Sequence, residues 1–232
     1  MRLLIDLDSI IYRGLFALKY SNYYKQVRVC ENLIEKAADR VESSDITLFL
    51  SGKGNFRYAI YPDYKANRKG VERPFYLHDA RQYFIKYWNA VCEDDMEADD
   101  MIAMNHDEDS VIVSSDKDFN TVGGNILNPF TNVLYYVKNP AFHFYKQLLV
   151  GDMVDNIPGV LNPAKAHHKI PPNFTEKTAS EELLDKTKEE MRVLVQAMYE
   201  NEYREEWFKF YDRNAQLLFL KRSVESSYKD FY

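Results

Sequence analysis

Glu93-Asp94-Asp95-Met96-Glu97-Ala98-Asp99-Asp100 and, a few residues on, Val111-Ile112-Val113-Ser114-Ser115-Asp116-Lys117-Asp118 form the stretch around which the chain is organised. Six acids fall within eight residues, then an apolar strand runs into two more. An acidic run is most often a solvated helix face. Carboxylates crowded at one place repel each other, however, unless a cation sits among them. On a helix, Glu97 and Asp100 lie one turn apart on one face, with Asp99 turned partly aside. Three oxygen donors in one turn suit a hard divalent cation.

Working outward, acids recur wherever an element ends. Leu3-Leu4-Ile5 reads as a buried parallel strand that stops at Asp6 and Asp8, with Asp8-Ser9 as a helix cap. An amphipathic helix follows over about Gln26–Val41, then a strand Ile46–Leu50 broken by Ser51-Gly52-Lys53-Gly54. Pro74 opens a helix through Leu77, Ala80, Phe84, Tyr87 and Val91. Asn125–Val137 reads as a hairpin, and Ala141–Val150 as a helix leading into Gly151-Asp152-Met153-Val154-Asp155-Asn156-Ile157-Pro158. Beyond that only helices are expected. Strands alternating with helices, then helices alone, predict an α/β domain followed by a small α region. The acids at Asp6/Asp8, 97–100, 116/118 and 152/155 sit at strand or helix ends, where open α/β sheets carry their sites. Four such clusters predict a two-metal centre for phosphoryl transfer.

Between Lys53 and Arg73 lie six cations (Lys53, Arg57, Lys65, Arg68, Lys69, Arg73) against Asp63 and Glu72, interleaved with Phe56, Tyr58, Tyr61 and Tyr64. Cations for phosphates with aromatics for bases is how single strands are held. The net charge of −6 argues only weakly against nucleic acid, because metal ions would offset part of it. Two cysteines, Cys30 and Cys92, make no disulfide framework. No signal-peptide pattern or membrane-length apolar run is present, which predicts a cytoplasmic protein with no membrane partner.

The stretches Leu4–Arg13, Phe56-Arg57, Tyr61–Arg68, Glu97–Asp100, Ser115–Asp118 and Gly151–Gly159 together resemble the flap endonuclease, or 5′-nuclease, family. That family includes the 5′→3′ exonuclease domain of bacterial DNA polymerase I and bacteriophage 5′-nucleases, and the short chain is most like the phage branch. The resemblance implies a PIN-like, mostly parallel sheet flanked by helices, with a catalytic domain over 1–158 that includes a short arch at about 55–92. A helical DNA-binding region, a degenerate helix–turn–helix, would occupy 159–232. It implies that Asp6, Glu97, Asp99, Asp100, Asp116, Asp118, Asp152 and Asp155 hold two or more Mg²⁺ or Mn²⁺ ions. Lys65 and Arg68 would contact the scissile phosphate as catalytic residues, adding positive charge on the side opposite the metals. Arg57 would be a nearby phosphate contact, and Lys53, Tyr64, Lys69 and Lys177 complete the expected DNA-binding set. The expected reaction is metal-dependent 5′→3′ exonuclease or flap endonuclease cleavage during phage-type replication. The expected partners are DNA with 5′ ends, flaps or nicks, and RNA/DNA hybrid as a second substrate; the expected state is a monomer.

Two departures stand out. Ser51 occupies a strand end where relatives carry a metal-site Asp; a water-mediated contact from Ser51, or the charge of Asp8, is the expected compensation. After Gly159 the chain has no glycine, so the family's glycine-rich hairpin and its K⁺ site are not expected. Lys165, His167, His168, Lys169 and Lys177 are candidate substitutes by charge. These departures keep a catalytically impaired DNA-binding replication accessory protein in view. A more distant rival is a haloacid-dehalogenase-like phosphatase, in which Asp6 is the nucleophile and Ser51 binds phosphate; it leaves Tyr64–Arg68 and Glu97–Asp100 without a role. PIN-type ribonucleases share the acidic core but lack the Tyr64–Arg68 and Asn156–Gly159 stretches.

Overall fold

The computed structural model describes residues 1–160 and 175–232. In chain order the elements are β1 (Arg2–Asp6), α1 (Leu7–Ala17), α2 (Tyr23–Val41), β2 (Ile46–Ser51), α3 (Arg57–Ile60), α4 (Leu77–Trp88), β3 (Val91–Glu93), α5 (Ala98–Asn105), β4 (Ser110–Val113), β5 (Gly124–Asn128), β6 (Val133–Val137), α6 (Pro140–Val150), β7 (Gly151–Asp152), β8 (Ile157–Pro158), α7 (Glu176–Leu183), α8 (Lys188–Tyr203) and α9 (Trp207–Leu218). By contacts the chain groups into two units. One comprises Met1–Asn55, Val71–Lys138 and Leu220–Val224; the other comprises Phe56–Gly70, Asn139–Phe219 and Glu225–Tyr232.

The first unit is a six-stranded sheet in the order β3-β2-β1-β4-β5-β6. Every pair is parallel except β5–β6, which is antiparallel. Strand β1 is central because its residues are apolar on both faces: Leu3, Leu4 and Ile5 are buried. Ile5 lies opposite Leu48 on one side and Val113 on the other. Leu3, Ile5, Leu48, Leu50, Val111 and Val113 pack under α1, α2 and α4, while Leu4, Phe49 and Ile112 pack against α5. Strand order reverses between β1 and β4, and the crevice outside the carboxyl ends of strands at such a switch point is where open α/β sheets place ligands. Strand β3 corrects the expected helix: Asn89, with a left-handed φ of 52°, ends α4 two residues before Val91, and Val91 pairs with Phe49 instead of continuing the helical face.

In the second unit α6 is the hub. Phe144, Tyr145, Leu148 and Leu149 pack with Tyr199 of α8 and with Tyr211, Ala215 and Leu218 of α9. The Tyr199 hydroxyl donates to the Leu148 carbonyl at 2.7 Å and accepts from Asn214 at 2.9 Å, so two buried polar groups are satisfied inside an aromatic core. Strands β7 and β8 form a two-residue antiparallel pair, a pairing too short for periodicity to reveal. Gly151, at φ 77°, and Gly159 back onto each other so closely that a Cβ on either would strike the other's backbone.

Candidate functional site

Asp6 ends β1 and starts α1: its Oδ1 accepts the Ser9 N–H at 3.2 Å, so Asp6 is the cap expected of Asp8-Ser9. Its Oδ2 accepts the Ser114 hydroxyl at 2.7 Å, and the Ser114 oxygen in turn accepts the Asp116 N–H at 3.0 Å. Strand register explains the meeting, since Ile5 is opposite Val113 and the next residues on both strands are Asp6 and Ser114. Burial, with repulsion from Asp8 and Asp116, pushes the Asp6 carboxyl up to about 6 against the pull of its hydrogen bonds to Ser114 and Ser9. Asp116 accepts the Asp118 N–H at 3.0 Å and so caps the short turn Lys117–Thr121.

Helix α5 supplies the second group. Glu97, Asp99 and Asp100 each offer an oxygen within 4.8 Å of the others. Oxygens across one ion lie at most about 4–5 Å apart, twice a metal–oxygen distance, so this donor set fits a hard divalent cation. Glu97 and Asp100 are buried, and Asp100 accepts the Lys221 N–H at 3.0 Å. Among the described residues this is the cluster that meets the spacing; Asp6 and Asp116 are linked to each other through Ser114.

Asp8 is engaged elsewhere. Its carboxylate pairs with Arg81 of α4 and accepts the Ser51 N–H at 2.7 Å, so the charge expected to replace the family's Asp is matched by a guanidinium. Asp94, within the acidic run, accepts the Lys53 N–H at 3.0 Å and is part of the loop's framework.

Lys65, Arg68, Asp152 and Asp155 belong to the second unit. Asp155 pairs with Arg68 and with Lys65 at 3.4 Å, and accepts the Tyr64 hydroxyl at 2.9 Å. The turn Ala66–Arg68 is fastened to the same loop by Lys65 N–H to the Asp155 carbonyl, Asn67 to the Met153 carbonyl and Asn156 to the Asp63 carbonyl, at 2.9, 2.6 and 2.6 Å. Asp152 accepts the N–H groups of Val154 and Asp155. Two expected DNA contacts are corrected. Arg57 is buried, its guanidinium donating to the carbonyls of Leu217 and Phe219 at 2.9 Å each, and Tyr64 is buried with its ring in the α6 core. Neither offers its polar head or ring face to a nucleic acid in this arrangement. Lys53, Lys69 and Lys177 are exposed, Lys177 beside Glu181 at 3.8 Å. Lys165, His167, His168 and Lys169 lie outside the described residues.

Sequence reasoning missed three contributors. Ser114 was visible as the residue after β4 once register is known. Arg81 had a faint signal, a lone cation beside the apolar positions Leu77, Ala80 and Phe84. The Lys221 amide had none, because a backbone donor 121 residues away leaves no pattern.

A parallel sheet with carboxylates gathered beyond its strand ends is the architecture of the flap endonuclease, or 5′-nuclease, class. The chain belongs to the family described as 5′-3′ exonuclease, N-terminal resolvase-like domain, whose sequence model matches residues 1–144. It is similar to the 5′-3′ exonuclease of Buchnera aphidicola subsp. Schizaphis graminum, 26% identical over 190 residues, covering 68% of this chain and 64% of the relative. The fold is that of the bacteriophage T5 5′-exonuclease solved with zinc, at TM-score 0.67 and 17% identity over 94% of this chain and 88% of that one. A T5 D15 flap endonuclease complex with DNA and metal ions matches at TM-score 0.58 and 18% identity, over 93% and 98%. Among the described residues no helix is long and apolar enough to cross a membrane.

Proposed function

We infer that this protein is a divalent-metal-dependent 5′-nuclease that hydrolyses phosphodiesters in DNA at 5′ ends, flaps or nicks, in replication of the phage type. RNA/DNA hybrid is the second substrate, and the working unit is a monomer. The observation that carries the reading is the Glu97–Asp99–Asp100 donor set in a chain of the 5′-3′ exonuclease family. Divalent metal and DNA in the T5 structures support it.

Glu97, Asp99 and Asp100 would hold one Mg²⁺ or Mn²⁺, and Asp6, Asp116 and Asp118 would provide for a further ion; Asp152 and Asp155 are additional candidate ligands in the second unit. Bound ions of this kind activate a water and neutralise charge developing on the phosphate. Asp6 must give up its proton to bind a cation, and the Ser114 hydroxyl, which donates to the Asp6 carboxylate, steadies the ionised form. Lys65 and Arg68, oriented by Asp155, would turn N–H groups to the scissile phosphate. Lys53 and Lys69 would add backbone affinity. The catalytic role is assigned to 1–158 and duplex binding to 159–232.

Cleavage of a 5′-labelled flap and a nicked duplex, with Mg²⁺ or Mn²⁺ varied, tests this. Asp116→Asn should slow cleavage about a hundredfold or more and Lys65→Ala about tenfold or more, the scale of losing transition-state charge stabilisation. An unchanged rate for Asp116→Asn would refute the metal assignment. Tight flap binding with no cleavage in any metal would instead establish the accessory-protein reading, which the engagement of Asp8 by Arg81 favours.

A further inference from the structure

Three separate bonds converge on Ser51, the last residue of β2. Its Oγ accepts the Ala98 N–H at 3.0 Å. Its N–H donates to Asp8 at 2.7 Å, and its carbonyl accepts from Arg81, the same guanidinium that pairs with Asp8. Ala98 is the first residue of α5, and Glu97, the preceding residue, makes no side-chain cap of its own. The Ser51 hydroxyl therefore does the capping from the neighbouring strand, at the turn that presents Glu97, Asp99 and Asp100.

The residues that follow extend the same seam. Gly52 N–H donates to the Met96 carbonyl at 3.0 Å, and the Asp95 N–H donates to the Lys53 carbonyl at 2.7 Å. A Cβ at Gly52 would collide with the Glu93 carbonyl, so glycine is required for this close approach. The end of β2 is thus laced to residues 93–98, with Ser51 as the stitch nearest the acids.

We propose that Ser51 is a positioning residue for the metal centre: its hydroxyl fixes the first turn of α5 so that Glu97, Asp99 and Asp100 converge, and it does so without ligating the ion. Asp8 and Arg81 hold Ser51 in turn. The Ser51 oxygen is directed to a backbone amide, and what it gives the site is alignment, not charge. The proposal rests on the reading of Glu97, Asp99 and Asp100 as ligands.

Mn²⁺ binding to the whole protein, followed by electron paramagnetic resonance without nucleic acid, provides the test. Ser51→Ala should weaken Mn²⁺ affinity about tenfold, the lower end of what removing an indirect metal-site support costs. Ser51→Thr keeps the hydroxyl and should restore wild-type affinity. Ala98→Pro removes the amide that donates to the hydroxyl. Proline is favoured at the first helical position, and Glu97 already has the extended ψ of 154° that a following proline demands. In the Ala98→Pro background Ser51→Ala should have no further effect. Wild-type affinity in Ser51→Ala, or failure of Ser51→Thr to rescue, would overturn the proposal, whether or not Ala98→Pro folds. An undiminished Ser51→Ala effect in the Ala98→Pro background would also overturn it, because Ser51 would then act on the ion directly. If wild-type protein binds no Mn²⁺ while remaining folded, the metal reading itself falls and the proposal with it.

Discussion

Asp6 and Asp155 are both proposed metal ligands, yet the chain surrounds them in opposite ways. Asp6 is buried beside Asp8 and Asp116, and its carboxyl is pushed up to about 6. Asp155 sits among Lys65, Arg68 and the Tyr64 hydroxyl, so its charge is matched by groups of the same chain. The first arrangement is unfavourable until a cation or a proton arrives; the second is favourable as it stands. Matching a carboxylate to a family motif identifies the residue but not which of these two situations it is in.

The matched side can be broken most severely at Arg57. Replacing it with Met removes two charge-assisted hydrogen bonds to the Leu217 and Phe219 carbonyls and should cost about 3 kcal/mol or more of stability. Urea titration would show it as a lower midpoint, and a midpoint within error of wild type would deny Arg57 a structural role. Asp155→Asn should have the next largest effect, about 1–2 kcal/mol, because it removes the carboxylate charge that pairs with Lys65 and Arg68. Removing an acid from this side lowers stability in metal-free buffer.

Asp6→Asn should do the reverse. A raised carboxyl contributes stability that is complete below the unfolded value of 3.8 and is lost as pH rises through about 6. Metal-free wild type should therefore gain about 1 kcal/mol relative to Asp6→Asn on acidification from about pH 7.5 to about pH 5, a rise in melting temperature of a few degrees. Identical pH profiles for the two proteins would show that Asp6 is not the strained member of the comparison. The same titration makes metal binding weaken below about pH 6, where the proton competes for Asp6.

Much of the first unit was legible because its signals are local. Leu3-Leu4-Ile5 before Asp6, and Val111-Ile112-Val113 before Ser114, announce buried parallel strands by composition alone. The turn Glu97–Asp100 is likewise a local pattern, and the structure brings its donors together. What stayed hidden depends on pairing at a distance. Arg57 reads as one cation among six, and only the arrival of α9 turns it inward. Tyr64 looks like a stacking platform until α6 claims its ring. Asp8 looks like a spare ligand until Arg81, 73 residues later, takes it. Charge and aromaticity are visible in a sequence, whereas burial of a particular charge or ring is a property of the packed chain.

The Lys221 N–H that reaches Asp100 carries a consequence for biosynthesis. Segment Leu220–Val224 belongs to the sheet unit, although every strand and helix of that unit is complete by Lys138. A ribosome therefore finishes the sheet and the acidic turn long before it makes the amide that Asp100 accepts. Until then the chain carries every strand and helix of the sheet unit without that backbone donor. That hydrogen bond to Asp100 can therefore form only late in synthesis.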